Sequence, residues 1–358
     1  MKKHLTFLLF GLIQICASQN TANSVDLKGV QILNSTALSL LDNTASIITS
    51  NTDCKDFNIN TENLSNISVD FSLNKGKLNG LEYYGLGKSI NDFKQATIDK
   101  LFRPNVSAVI KQTDSTTNLA AGFNVNVLTV FRSKAENIKT AYLSIRKSTE
   151  KLEKEAKLII IKRFSDLKQP SPEYDNQYAK ILDSLPTYDK AKTDEFAEIL
   201  KKPLFSLDLA AAYSTLYSDN THGNSQQDRI GVWSTLTFSP KVENNYLNLY
   251  GFIRYIKDNS VYSKLTSNYS DQVEYFDYGC KIQIDINAIS FGYEYIKRNG
   301  NGKDYRSVGI IQYKINSNYY LTGGFGKNFT SDSSKDLVSL LGIRWGINKK
   351  DSKEWETQ

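Results

Sequence analysis

A chain of 358 residues makes one large domain or two small ones. Its net charge of +6 includes two lysines at the extreme N-terminus, is mild, and gives no ground for a nucleic-acid partner. Three cysteines, one of them at position 16, are too few for a disulfide framework.

Residues 1–18 read as a secretory signal peptide. Lys2 and Lys3 precede the apolar run Leu5–Ile15, and Cys16-Ala17-Ser18 offers small residues for cleavage. The run is shorter than the roughly 20 residues a membrane-spanning helix needs. Lipidation at Cys16 is the alternative, against which stands Ile15 at a site that wants a small residue. Nothing after Ser18 resembles a transmembrane helix, so the mature chain is soluble or a β-barrel.

Residues 19–64 are rich in Asn, Ser and Thr and read as a polar periplasmic arm, with one amphipathic piece near Thr36–Ile48. Residues 65–131 hold the first strands. Ile67, Val69, Phe71 and Leu73 alternate with Ser68, Asp70 and Ser72; Leu81–Gly87 forms a short return, and Asn91–Phe102 has helical spacing. Asn105–Thr113 and Asn118–Val130 alternate again. The alternation then stops: residues 132–203 form a Lys/Glu-dense helical insert, with Ile138, Tyr142, Ile145, Leu152, Ala156 and Ile159 in one stripe. A shorter helix is expected near Asp194–Lys201. The charges of this hairpin are those of a solvated face or of a docking surface.

Residues 204–347 resume the alternation in eight predicted strands: Leu204–Tyr217, Arg229–Ser239, Tyr246–Lys257, Glu274–Asp285, Ala288–Arg298, Tyr305–Ile315, Tyr319–Phe329 and Val338–Ile347. Residues 348–358 are a polar tail. Period-two spacing gives each strand two faces. In Glu274–Arg298, Phe276, Tyr278, Cys280, Ile282 and Ile284 lie on one, and Asp277, Lys281 and Asp285 on the other. None of the six prolines interrupts a predicted strand, where a ladder would miss an N–H.

A soluble antiparallel sandwich shows similar alternation with the oily face inward. Strand length favours the membrane, because sandwich strands run to about 5–6 residues. So do tyrosines near strand ends (Tyr213, Tyr217, Tyr246, Tyr255, Tyr275, Tyr295, Tyr305 and Tyr319), which suit interfacial girdles. A charge facing lipid at midplane costs roughly 2–4 kcal/mol, so charged residues on the polar face must turn to the lumen. The predicted fold is therefore all-β, an antiparallel up-and-down transmembrane barrel of about twelve strands with an inserted helical hairpin. Its lumen-lining set is Asp208, Arg254, Asp277, Lys281, Asp285, Glu294 and Arg344. Short turns at Ile286–Asn287 and Asn316–Asn318, against longer connections such as Asp258–Val273, place both termini and the insert in the periplasm.

The mature chain resembles outer-membrane β-barrels of Gram-negative bacteria, especially those of Bacteroidota, in its Lys/Asn/Ile-rich composition and in Gln19-Asn20 after the signal. Gly342-Ile343-Arg344-Trp345-Gly346-Ile347 is similar to the last-strand signal read by the barrel-assembly machinery, although the tail runs past it. The resemblance implies an outer-membrane location and a class rather than an activity. Outer-membrane lipid and the assembly machinery are the implied partners.

Chemistry has few candidates. His4 lies in the signal, and His222 is a lone loop histidine without a triad. His and Cys clusters for a metal are absent, and Asp219, Asp228 and Asp271 lack calcium-loop spacing. Gly300-Asn301-Gly302 is a turn rather than a phosphate cradle, and Gly323, Gly324 and Gly326 relieve crowding. No enzyme and no cofactor are expected. Two functions stand: a pore or transport channel for small solutes, with residues 19–104 able to supply a plug, or a structural barrel that docks a periplasmic protein partner through its insert.

Overall fold

A computed structural model describes residues 35–50, 57–62, 66–73, 102–112, 116–166, 171–185, 196, 202–218, 225–243, 245–263, 268–300, 302–315, 319–329 and 337–347. The signal segment, Leu81–Gly87, most of Asn91–Phe102, Cys54, His222 and the tail lie outside the described residues.

The strands are β1 (Phe57–Glu62), β2 (Asn66–Ser72), β3 (Phe102–Gln112), β4 (Thr116–Val130), β5 (Phe205–Ser218), β6 (Ser225–Phe238), β7 (Lys241–Val242), β8 (Asn245–Ser263), β9 (Asn268–Ile286), β10 (Ile289–Gly300), β11 (Gly302–Lys314), β12 (Tyr319–Lys327) and β13 (Leu337–Ile347). Each pairs antiparallel with its sequence neighbour, β6 continues directly to β8, and β1 joins β13 from Phe57↔Ile347 to Glu62↔Gly342. β7 is a two-residue clip on the start of β8, so the wall is a closed barrel of twelve staves. Closure leaves no free edge to satisfy in a bilayer.

The expected strands from Asn105 to Ile347 all form. The twelfth stave differs from the sequence reading. β2 pairs directly with β3, and Phe57–Glu62, read as part of the arm, is the first stave. Its alternation of Phe57, Ile59 and Thr61 with Asn58, Asn60 and Glu62 is a barrel pattern written in loop-like residues. The long exterior loop expected at Asp258–Val273 is also largely strand, since β8 reaches Ser263 and β9 starts at Asn268. Asn287, at a φ of 52°, turns β9 tightly into β10.

Exposure is inverted relative to a soluble protein. Ile67, Ile110, Val232, Ile253, Phe291 and Leu341 are each at least half exposed, whereas Arg254, Asp277, Glu294 and Arg306 are at most 1% exposed. No soluble sandwich buries its charges and bares its aliphatics. Two of the expected girdle tyrosines point the other way: Tyr246 is buried inside one mouth, and Tyr275 packs on an inward cluster. Cys280 is exposed on the apolar outer face.

The connection from β4 to β5 carries α2 (Ala135–Arg163) and α3 (Pro172–Ser184). They pair through Ala156, Ile160, Tyr174 and Ile181. Tyr142 meets Phe196, with ring centroids 6.1 Å apart. Strand direction puts this insert at the barrel end where β1 starts and β13 finishes, which is called the base below.

Candidate functional site: an occupied lumen

Residues 35–50 lie inside the barrel. Thr36–Leu40 form a short helix, α1, whose five residues are all buried. The chain then turns at Asp42, which takes a φ of 54°, a left-handed value that Asp tolerates better than most residues. From there it descends to Ser50 near the base. The stretch Thr36–Ile48, read from sequence as a piece of a periplasmic arm within the residues 19–104 able to supply a plug, lies in the lumen as that plug.

Sequence explains why it fits. Leu40, Ile47 and Ile48 enter an inward apolar patch that includes Ala210, Trp233, Tyr250, Phe252 and Ile256. Ala37, Leu38 and Leu41 meet Val109 and Ala120. Close approach is possible because the wall carries glycine there. A Cβ on Gly122 would lie 2.8 Å from the Ala37 nitrogen, and one on Gly324 would lie 3.0 Å from the Ala45 Cα. The crowding relieved by Gly324 is that between wall and plug.

Three polar clusters hold the plug, stacked from its apex to the base. At the apex the Asp42 carboxylate accepts from Arg254 at 2.6 Å, Arg298 at 3.0 Å and Arg229 at 3.2 Å. Arg254 also donates to the Ser39 carbonyl at 2.6 Å. These cations have partners in the wall as well: Asp277 binds Arg254 and Arg298, and Asp258 binds Arg229. Burial pushes the Asp42 carboxyl up, but the guanidiniums of Arg298, Arg254 and Arg229 outweigh it and hold the group well below the ordinary carboxylate range. A depressed folded value stabilises above the unfolded carboxylate pKa, and that contribution fades only as pH falls through the depressed value.

Midway, Glu294 accepts from the Ile47 and Ile48 amides at 3.2 and 2.8 Å and from Ser46 Oγ at 2.8 Å. Arg306 bridges Glu294 at 2.9 Å and the Thr44 carbonyl at 2.6 Å. Lys281 donates to Ser46 Oγ and to the Ile48 carbonyl. Near the base, Ser50 donates to Asp208 at 2.9 Å, and Asn126 donates to the same carboxylate at 2.7 Å.

The mouth itself is crossed by the root of the insert. Lys202 is buried and bonds Asp285, which also accepts from Asn248, Gln283 and Ser290. Arg132 donates to the carbonyls of Lys202 and Ser239. Arg132 and Lys202 both lie over the ring of Tyr246, at 4.6 and 5.3 Å from its centroid. Tyr246 shares the inward parity of Asn248, Tyr250 and Arg254 on β8, and the two cations hold its ring in the mouth.

All seven residues expected to line the lumen are buried. Register sets opposite charges face to face, with Glu294 beside Lys281 and Arg254 beside Asp277. Arg344 lies on β13 between Asn60 and Tyr320. Sequence reading missed Arg298 and Arg306, although the parity that selects Glu294 selects both. It also missed Arg229, Lys202 and Asp42, and for Asp42 no periodic signal existed. Among the described residues no group of three or more His, Cys, Asp or Glu suits a metal ion.

No family model and no curated protein matches the chain. Among solved structures it is similar to the outer membrane protein Omp33 of Acinetobacter baumannii, 9% identical over 82% of this chain and 98% of that one, with a TM-score of 0.31. It is similar to the NanC porin, 8% identical over 81% and 97%, at 0.35. A third is the transport unit of the autotransporter AIDA-I from Escherichia coli, 8% identical over 86% and 96%, at 0.30. Such distant likenesses add nothing to what the sheet itself establishes. Twelve staves closed on themselves, apolar outside and charged within, make this chain an outer-membrane β-barrel.

Proposed function

We propose that the protein is a gated passage for small solutes across the outer membrane, with residues 35–50 as its gate and residues 1–18 as the signal that exports it. On composition we place it with the barrels of Bacteroidota. One observation carries the gate: four wall arginines that hold the plug also bond wall carboxylates. Arg254 and Arg298 share Asp277, Arg306 has Glu294, and Arg229 has Asp258. A plug can therefore leave without stranding most of the charges that grip it, and water can fill the polar lumen behind it.

The second reading is a non-conducting barrel that docks a periplasmic protein through α2 and α3. It is favoured by Leu158 and Ile161, which stand 67% and 65% exposed on α2.

Single-channel conductance in planar bilayers separates the two. Gly122→Val and Gly324→Val place side chains where the plug lies without altering any charge, an overpacking worth about 1–3 kcal/mol against docking. The intact protein should be mostly closed, and the two variants should show frequent open steps. Folded, heat-modifiable variants that never conduct would sink the gate and leave the docking barrel.

A further inference from the structure

The plug meets its wall with an unequal chemistry. To the arginines at its apex it offers acceptors: both oxygens of Asp42 and the carbonyls of Ser39 and Leu40. The wall answers with three guanidiniums, Arg229, Arg254 and Arg298, set against two carboxylates, Asp258 and Asp277. Lys111 and Asp228 face the same cluster with opposite charges and balance one another. Asp228 is in turn bonded by Asn118, Ser214 and Ser260. With Asp42 withdrawn, the cluster keeps one cation in excess, with donors aimed at an emptied position shaped by a planar carboxylate.

We propose that this arginine cluster is a binding site for the carboxylate of an anionic solute, and that Asp42 occupies it as a built-in mimic. The proposal deepens the gated-passage reading and rests on it for its biological use; the site itself is tested without conduction. Guanidiniums bind planar carboxylates through parallel N–H donors, a geometry a spherical chloride cannot match. A solute carboxylate competes with Asp42 for the same donors, so the solute that is admitted is also the one that favours the open lumen. This selects anions with a carboxylate over cations and over neutral solutes.

Chemical rescue tests the site on the full chain refolded in detergent. The unfolding temperature is read from heat-modifiable electrophoresis in sodium acetate and in sodium chloride at equal ionic strength. Asp42→Ala should melt below the wild type, and acetate should restore at least half of the loss at an ionic strength where chloride restores none. The wild type, whose site is filled, should not respond. Asp42→Asn, whose side chain still fills the space, should show at most a small rescue. If Asp42→Ala folds poorly, the yield of folded barrel on refolding in acetate against chloride gives the same answer. Acetate and chloride acting alike on Asp42→Ala would overturn the site. A reversal potential measured for Gly122→Val under a potassium chloride gradient should favour the anion, and cation preference would count against the proposal. Absence of conduction there, with acetate rescue intact, would instead remove the gate and keep the site.

Discussion

The lumen around Asp42 and the α2–α3 hairpin are both dense in charge, and water treats them in opposite ways. In the hairpin, Arg146 and Glu150 pair at 2.9 Å one helical turn apart, but their side chains stay 41% and 50% exposed. Such pairs are screened and lose side-chain freedom when they form. In the lumen, Arg254 meets Asp277 with both side chains wholly buried. Desolvation makes each lumenal charge depend on a partner, so the network discriminates between a docked plug and a displaced one. Charge in the hairpin keeps a helix soluble, whereas charge in the lumen specifies what may sit there.

Three substitutions sharpen that contrast. Glu294→Gln should have the largest effect. It leaves Arg306 buried without its carboxylate and weakens the grip on Ser46, Ile47 and Ile48, costing about 3–5 kcal/mol in denaturant unfolding. Lys202→Met removes the cation from the base, but Asp285 keeps Asn248, Gln283 and Ser290 as donors. A loss of about 2 kcal/mol in the same measurement is expected, the worth of one hydrogen bond between charged groups. Arg146→Ala should change stability by no more than about 0.5 kcal/mol. A loss from Arg146→Ala as large as that from Glu294→Gln would erase the distinction between the two regions.

Much of the wall was legible because a barrel stave obeys one rule throughout its length. Asp277, Lys281 and Asp285 sit four residues apart in succession, so one parity decision turns all three inward. The same rule, carried on from Glu294, reaches Arg298 and then Arg306 across the Gly300–Gly302 turn. β1 escaped notice because Asn58 and Asn60 look like loop residues, although inside a barrel Asn60 is a buried donor to Asp70 at 2.6 Å. Tyr246 was misplaced because its position near a strand end was weighed and its parity, that of Arg254, was not. Arg132 and Lys202, 70 residues apart, then hold its ring in the mouth, a pairing no local pattern contains. A plug from residues 19–104 was expected from the strand number, but its docking residues were the least legible part. A sixteen-residue segment that docks by three separate clusters needs no periodicity, so Asp42 looked like any aspartate in a polar arm.

The plug also sets an order of events. Its anchors lie far along the chain: Asp42 is 212 residues from Arg254, and Ile48 is 246 residues from Glu294. Contacts of such separation form late, because the loops they close must first be shortened by other structure. Here that structure is the ring completed by β1 and β13, at opposite ends of the sheet in sequence. A segment that precedes every described stave in the chain is therefore expected to seat after the ring has closed, into an interior that water fills until then.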